Sequence, residues 1–586
     1  SEPQIQGASA GSGHMRWAMG DEDRPDILAR LRQARGHPLP PPAEEDSGPG
    51  RSLVDLLDPE FSLDLGRMDV AFASDEGEAE VARDLTLKLS RTEGGFHFEG
   101  RGEPADGGVI RWDLNLHPEE LRAEGNVRFQ GVPLALVVPF LPDVPWHEPE
   151  LAELDGDLEL EADGAEAVVF RGGVAVRNAG LYSVRISPEP IRRIAVAVDG
   201  AGSWSPVTRR LTLDEAQVRM GEASVNLSGS LLWEPERYVV DLTAIMPVTD
   251  CNLAVGAIPR DLLGGLEGFS WNGNMGGRVR AFVDSAALDE THLDLDVHTA
   301  CEFETVPVMA SLARVEGPFL HRVREPDDTW FEMTTGPGTG AWSSIYAISP
   351  FLVHAVLAHE DASFFRHSGF APWAIRDALV RNLEEGRFVY GASTITMQLV
   401  KNLFLHREKH LARKVQEVLL TWWLESALEK KHILELYLNV IEYGPGVYGI
   451  RQGAHHYFGR RPEELSPAES AFLASILPAP KVHHSHYERG SLSSSMRNRV
   501  QRLLRHMASR GRIDQEALDY GLAELGAFRF RSDGAGFLAG REIPGSAATL
   551  PYGAGGTIAA WPDDWNWDDD DPTDDSDFGP EEGPGG

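Results

Sequence analysis

A chain of 586 residues exceeds one ordinary domain and has room for two or three, each with its own core. Its 54 Lys and Arg against 91 Asp and Glu leave a formal charge of −37, which excludes general nucleic-acid binding and confines any basic site to a local patch. The two cysteines, Cys251 and Cys301, exclude a disulfide framework and a four-cysteine zinc site, and leave open whether they pair or stay as thiols. No apolar run reaches the ~18–20 residues that cross a bilayer, the longest, Val132 to Leu141, being broken by Pro133 and Pro139.

In chain order, Ser1 to Met15 is a polar Gly/Ser stretch ending in His-Met that reads as an expression scar, leaving a removed signal or anchor open. Residues 16–50 are charged and end in PLPPPAEEDSGPG, so 1–50 is expected to be scar and disordered linker. From 51 to 310 apolar residues alternate with polar ones: Met68, Val70 and Phe72, Leu154, Leu158 and Leu160, Leu211 and Leu213, Val225 and Leu227, Val279, Ala281 and Val283, and Leu293, Leu295 and Val297. Period two, interrupted by Gly, Asn and Asp, predicts many antiparallel strands with one apolar face.

After about 345 the period becomes helical. Ser349-Pro350 is a helix start with the hydroxyl placed to cap free amides, and Leu352, Val353, Val356 and Leu357 follow on one face. Helical runs cover Ile375–Leu383, Thr394–Phe404, His410–Leu428, Lys431–Leu438, Pro467–Ile476 and Met496–Ser509, making 311–530 mainly α. Residues 531–586 end in a run of aspartates around Trp561, Trp565 and Trp567, expected as a solvated, disordered tail or a docking peptide for a basic partner. The fold class is therefore multidomain α+β, a β-rich N-terminal domain before a mainly α one.

Two stretches, 202–231 and 262–297, resemble the repeats of AsmA-like envelope proteins, which implies long curved sheets that serve either as an apolar groove for lipid or as a spacer. The helical region carries four blocks: Glu360-Asp361 with Phe364, His367 and Gly369; Gly391-Ala-Ser-Thr-Ile-Thr-Met-Gln-Leu-Val-Lys-Asn402; Arg413-Lys-Val-Gln-Glu417; and Lys431-His-Ile-Leu-Glu-Leu-Tyr-Leu-Asn439. Their order and spacing resemble the family 51 glycosyltransferases, the lysozyme-like domain that polymerises lipid II.

That resemblance implies Glu360 as the base that takes a proton from the acceptor's sugar hydroxyl, and Glu417 as a second essential carboxylate. Lys401, Lys409, Arg413 and Lys414 would meet the charge of the departing diphosphate. Ser393, Thr394, Gln398, Asn402 and Asn439, with Gly369 and Gly391, complete the substrate-binding set, while Asp361, Phe364 and His367 fix the Glu360 loop. Met397 stands where the family usually has Gln, a change of packing, and Lys409 where it usually has Arg, which keeps the charge but loses the planar fork and implies either weaker activity or a phosphate contact redistributed to Arg407.

Lipid II, the growing glycan strand, the periplasmic face of the inner membrane and cell-wall synthesis proteins are the implied partners. No cofactor is required; a divalent cation (Mg2+ or Mn2+) at the diphosphate stays open, without dedicated protein ligands. His483, His484 and His486 read as an exposed tract rather than a metal site. No Ser-x-x-Lys set for penicillin binding follows. A lysozyme-like hydrolase and a non-catalytic lipid-binding scaffold are the rival readings.

Overall fold

The computed structural model describes residues 5–18, 57–74, 77–118, 120–138, 144–164, 166–235, 237–325, 329–387, 391–405 and 410–530. The proposed tail, 531–586, and most of the proposed linker lie outside them. The chain divides into two compact units, Ser1–Asp261 with Trp271–Glu302, and Leu262–Ser270 with Phe303–Gly586.

The first unit is built on a 14-stranded sheet whose strands follow chain order, from Ile5–Ala18 at one edge to His292–Thr299 at the other. Neighbours pair antiparallel except at the first edge, where Ile5–Ala18 runs parallel to Leu57–Ser74. That strand corrects the expectation of an unstructured start: an open sheet edge offers unpaired amides and carbonyls to any extended segment, whatever its side chains.

Register explains the alternation. Leu65, Leu87, Gly100, Trp112, Val127, Leu158, Gly172, Gly200, Ala216, Leu227, Ala244, Val279 and Leu295 follow one another across thirteen strands, each paired with the next. One residue away, Asp64, Lys88, Glu99, Asp113 and Asn126 form a polar row, which the pleat turns to the opposite face. Gly100 makes room for its neighbour, since a Cβ there would lie 2.3 Å from the Trp112 ring. Burial of the apolar row is partial: Leu87, Trp112, Val127 and Leu158 are half-buried. Among the described residues, a buried cluster gathers around Val132, Leu134, Ala152, Leu154 and Ala179.

Cys251 and Cys301 are joined in a disulfide with Cα atoms 6.0 Å apart, which answers the question their number left open. Cys251 begins the short helix Cys251–Gly256, whose free amides at Asn252 and Leu253 are accepted by the Asp250 carboxylate.

The second unit is helical, and its described residues add two antiparallel hairpins, Phe319–Arg324 paired to Trp330–Thr335 and Glu442–Gly444 paired to Val447–Tyr448. Its helices of nine residues or more, among the described residues, are α1 (Pro350–Glu360), α2 (Pro372–Glu384), α3 (Ile395–Phe404), α4 (Leu411–Ala427), α5 (Lys430–Val440), α6 (Ile450–Phe458), α7 (Pro467–Ile476), α8 (Ser494–Ser509) and α9 (Gln515–Gly526). The expected domain border at 310 is corrected, because Leu262–Ser270 and Phe303 onward belong here. Aromatic packing is the reason: the Phe303 ring meets Phe269 at 5.5 Å and Trp422 of α4 at 5.3 Å, and Gln416 of α4 donates to the Leu262 carbonyl at 3.1 Å.

Helix α1 is buried from Phe351 to Leu357 and packs against α7, itself buried throughout and rich in Ala and Ser, which lets the two backbones approach. Pro350 does open α1, but Ser349 does not cap it; its hydroxyl donates instead to the Leu465 carbonyl at 2.9 Å, tying the entrance of α1 to that of α7. This central position holds the last residue of α1, Glu360, on a rigid base.

Candidate functional site

Helix α1 stops at Glu360 because Asp361 turns away from helical geometry (φ −167°, ψ 78°). The Asp361 carboxylate is drawn aside by three donors: His367 Nε2 at 3.0 Å, the Ile395 amide at 3.1 Å and Ser363 Oγ at 3.4 Å. His367 accepts the Gly369 amide on Nδ1 at 3.1 Å, so in its neutral form the ring carries its proton on Nε2, toward Asp361. Gly369 sits at φ +90°, and a Cβ would lie 2.7 Å from Thr421 Cγ2, so only glycine closes this loop.

Glu360 keeps 8% of its side-chain surface exposed. Its Oε1 lies 2.9 Å from His359 Nδ1, and its Oε2 accepts from Gln398 Nε2 at 2.7 Å. The Tyr437 hydroxyl donates to Gln398 Oε1 at 3.0 Å, which fixes the amide with its NH2 toward the carboxylate. Burial and the Glu360 charge hold the Tyr437 and Tyr443 hydroxyls well above the usual phenol range. Tyr443 is fully buried and its hydroxyl has no hydrogen-bond partner among the described residues.

The cationic half is built on α4, which starts at His410, whose Nδ1 accepts the Arg413 amide at 3.1 Å. Four residues after Arg413 and three after Lys414, Glu417 receives Arg413 Nη1 at 2.6 Å and Lys414 Nζ at 2.9 Å. Glu417 is almost wholly buried, so its charge requires both partners. Lys414 also donates to Ser393 Oγ at 3.2 Å.

The first turn of α3 joins the halves. Thr394 caps it, accepting the Met397 amide at 3.3 Å and donating to the Gly369 carbonyl at 2.7 Å. Ser393 just before it meets Lys414, the Ile395 amide meets Asp361, and Gln398 meets Glu360. Glu360 and the Glu417 cluster are thus held from one helical turn, which is the juxtaposition the enzyme reading requires.

Other expected binders fall elsewhere. Asn439 is fully buried: its Oδ1 accepts the Ser343 amide and its Nδ2 donates to the Ser343 and Glu435 carbonyls, each at 2.8 Å. It is corrected from substrate binder to a pin for the 343 segment. Phe364, expected to fix the Glu360 loop, is buried beneath Lys430, whose Nζ stands 4.3 Å from the ring centre. Asn402 donates to the Gln398 carbonyl at 2.8 Å, within its own helix. Lys401 is half-buried three residues beyond Gln398, and Gly391 is exposed. Lys409 and Arg407 lie outside the described residues.

Sequence spacing misses His359, Tyr437 and Tyr443. Tyr437 stands inside the fourth block, two residues before Asn439, but nothing in helical periodicity separates its hydroxyl from an ordinary core tyrosine. The exposed histidine tract is corrected as well: His486 is buried, and His484 stacks on His456 with centroids 5.2 Å apart.

Both oxygens of Glu360 and of Glu417 are engaged by side-chain donors or cations. Among the described residues, the group with converging metal-type ligands is His97, Glu99 and Asp113 on the sheet, where Lys88 already pairs with Glu99 at 3.2 Å.

The sequence model of the Transglycosylase family matches residues 331–508. A biosynthetic peptidoglycan transglycosylase of Acinetobacter baumannii is 41% identical over 182 residues, 31% of this chain and 79% of that protein. One of Paraburkholderia phytofirmans is 44% identical over 176 residues, 30% of this chain and 72% of its own. The family match spans the helices that carry Glu360 and Glu417, and with that share of a relative covered at that identity, the chain belongs to the biosynthetic peptidoglycan transglycosylase family.

Proposed function

We propose that the helical unit polymerises lipid II into β-1,4-linked glycan strands with inversion, releasing undecaprenyl diphosphate. In this reading Glu360 takes the proton of the acceptor's 4-hydroxyl as the oxygen attacks the donor's anomeric carbon. Gln398 and His359, at 2.7 and 2.9 Å from its two oxygens, hold its carboxylate in position. As the bond to the lipid diphosphate breaks, Arg413 and Lys414 neutralise the growing charge on the leaving group, and Glu417 holds both in place. No acid is needed for a leaving group that departs as an anion.

The observation that carries this reading is the single α3 turn holding the base on one side and the cations on the other. A hydrolase would need a second free carboxyl group flanking the bond, and Glu417 is committed to two cations. Glu360→Gln, tested with labelled lipid II, is expected to lower polymer formation by about 10³-fold or more, the loss typical of removing a general base with its alignment. Polymer at the wild-type rate would reject the assignment, and shortened glycan in place of polymer would favour the hydrolase.

The disulfide supports folding in an oxidising compartment, consistent with the periplasmic side of the envelope. The half-buried apolar row supports contact between the sheet and the polyprenyl chain of lipid substrate or product, more than a bare spacer, which needs no apolar face.

A further inference from the structure

Glu360 is held by two side chains of different character. Gln398 is a neutral amide with no proton to gain or lose near neutral pH; His359 is an imidazole, the side chain whose charge changes in that range. The His359 ring keeps 9% of its side-chain surface exposed and places Nδ1 2.9 Å from Glu360 Oε1. Among the described residues it is the titratable group hydrogen-bonded to Glu360.

We propose that His359 is a positioning residue for the transfer reaction, acting through Glu360, whose carboxylate it orients across the 2.9 Å contact between Nδ1 and Oε1. In the neutral ring Nδ1–H donates to Oε1, fixing the carboxylate's orientation and leaving its remaining lone pairs to the acceptor hydroxyl. A protonated ring in the same place would set an imidazolium against the base and drain its basicity, which makes the pH profile a readout of this contact.

The groups facing the ring agree with this. His483, on the short helix Pro480–His483, is a neighbour in the local field, and burial, Arg499 of α8, His486 and His359 together push its imidazole down to about 4. His483 is therefore neutral across the working range and adds no competing charge of its own. Arg499 is the fixed cation of this group, with Nη1 3.4 Å from His483 Nε2.

The inference rests on the polymerase reading. It is tested by following lipid II polymerisation by the full chain from about pH 4.5 to 8.5, a window spanning the carboxylate and imidazole ranges, in wild type, His359→Gln and His359→Ala, with Glu360→Gln as the inactive control. Wild type is expected to lose kcat as pH falls through the imidazole range. His359→Gln should move that acid limb down by about one pH unit or more, toward the carboxylate range, with a plateau lowered about 3- to 10-fold and KM within about twofold. Added imidazole should restore part of the activity of His359→Ala, the variant with room for it. An acid limb in His359→Gln that overlays the wild-type curve overturns the proposal, as does failure of imidazole to rescue His359→Ala at an unchanged unfolding midpoint. Should His359→Gln not fold, rescue of His359→Ala decides. A wild type that makes no polymer at any pH removes the polymerase reading and this one with it, whereas a polymerising wild type with an unmoved limb removes only the role of His359.

Discussion

Glu417 shows how one side chain can be indispensable without reacting. With 2% of its side chain exposed and a cation on each oxygen, it costs desolvation that only Arg413 and Lys414 offset. Removing its charge leaves two cations that repel and swing apart, so Glu417→Gln is expected to cut polymerisation by about 10²-fold, mainly in kcat, since their alignment matters most as the diphosphate departs. Steady-state kinetics on lipid II checks this; an effect confined to KM would assign Glu417 to ground-state binding. Residue identities made this cluster legible, because spacings of three and four on a helix place Arg413 and Lys414 beside Glu417 whatever the surroundings. The same rule misled for Asn439: its position in the fourth block carries no information about burial, and burial turned its amide inward.

At the scale of elements, helices were read from their apolar stripes, and those with a clear stripe came out within a few residues: α7 matches its expected Pro467–Ile476, and α4 and α5 differ at their ends. Helix α6 escaped notice because it begins after Gly449 (φ +79°) and carries Gly453, whose missing Cβ admits the Tyr443 ring at 2.9 Å. Glycine there signals close packing and looks from sequence like a break.

Helix α9, also missed, bears Glu524, a carboxyl pushed up to about 8 by burial and by Glu469 of α7. Its folded value exceeds its unfolded one, so the native state binds the extra proton. The stability it contributes is full below the unfolded carboxyl range and is lost as pH rises toward 8. Urea unfolding of Glu524→Gln should therefore show a flatter pH dependence between about 5 and 8 and greater stability than wild type at the alkaline end. An unchanged slope would show that Glu524 does not carry this dependence.

At the scale of the whole molecule, alternation foretold the sheet, and register shows why it did: Leu158, Leu227, Val279 and Leu295 lie on a single cross-strand row. What alternation could not convey was its continuity over thirteen strands, or that Leu262–Ser270 leaves the sheet's unit, because both depend on contacts distant in sequence. If the row contacts a polyprenyl chain, Leu158→Asp should weaken binding of a polyprenyl phosphate probe by about tenfold, the worth of roughly 1.4 kcal/mol of lost apolar contact. Polymerisation of detergent-dispersed lipid II should stay unaltered. Equal probe binding would leave the sheet as a spacer.

The bond between Cys251 and Cys301 encloses the excursion of Leu262–Ser270 into the helical unit. A single protease cut anywhere between the two sulfurs therefore yields fragments that migrate together until a reductant is added. Integrity judged on a reducing gel and integrity judged by survival of the linked molecule would then disagree, and the disagreement would locate the cut within that fifty-residue interval.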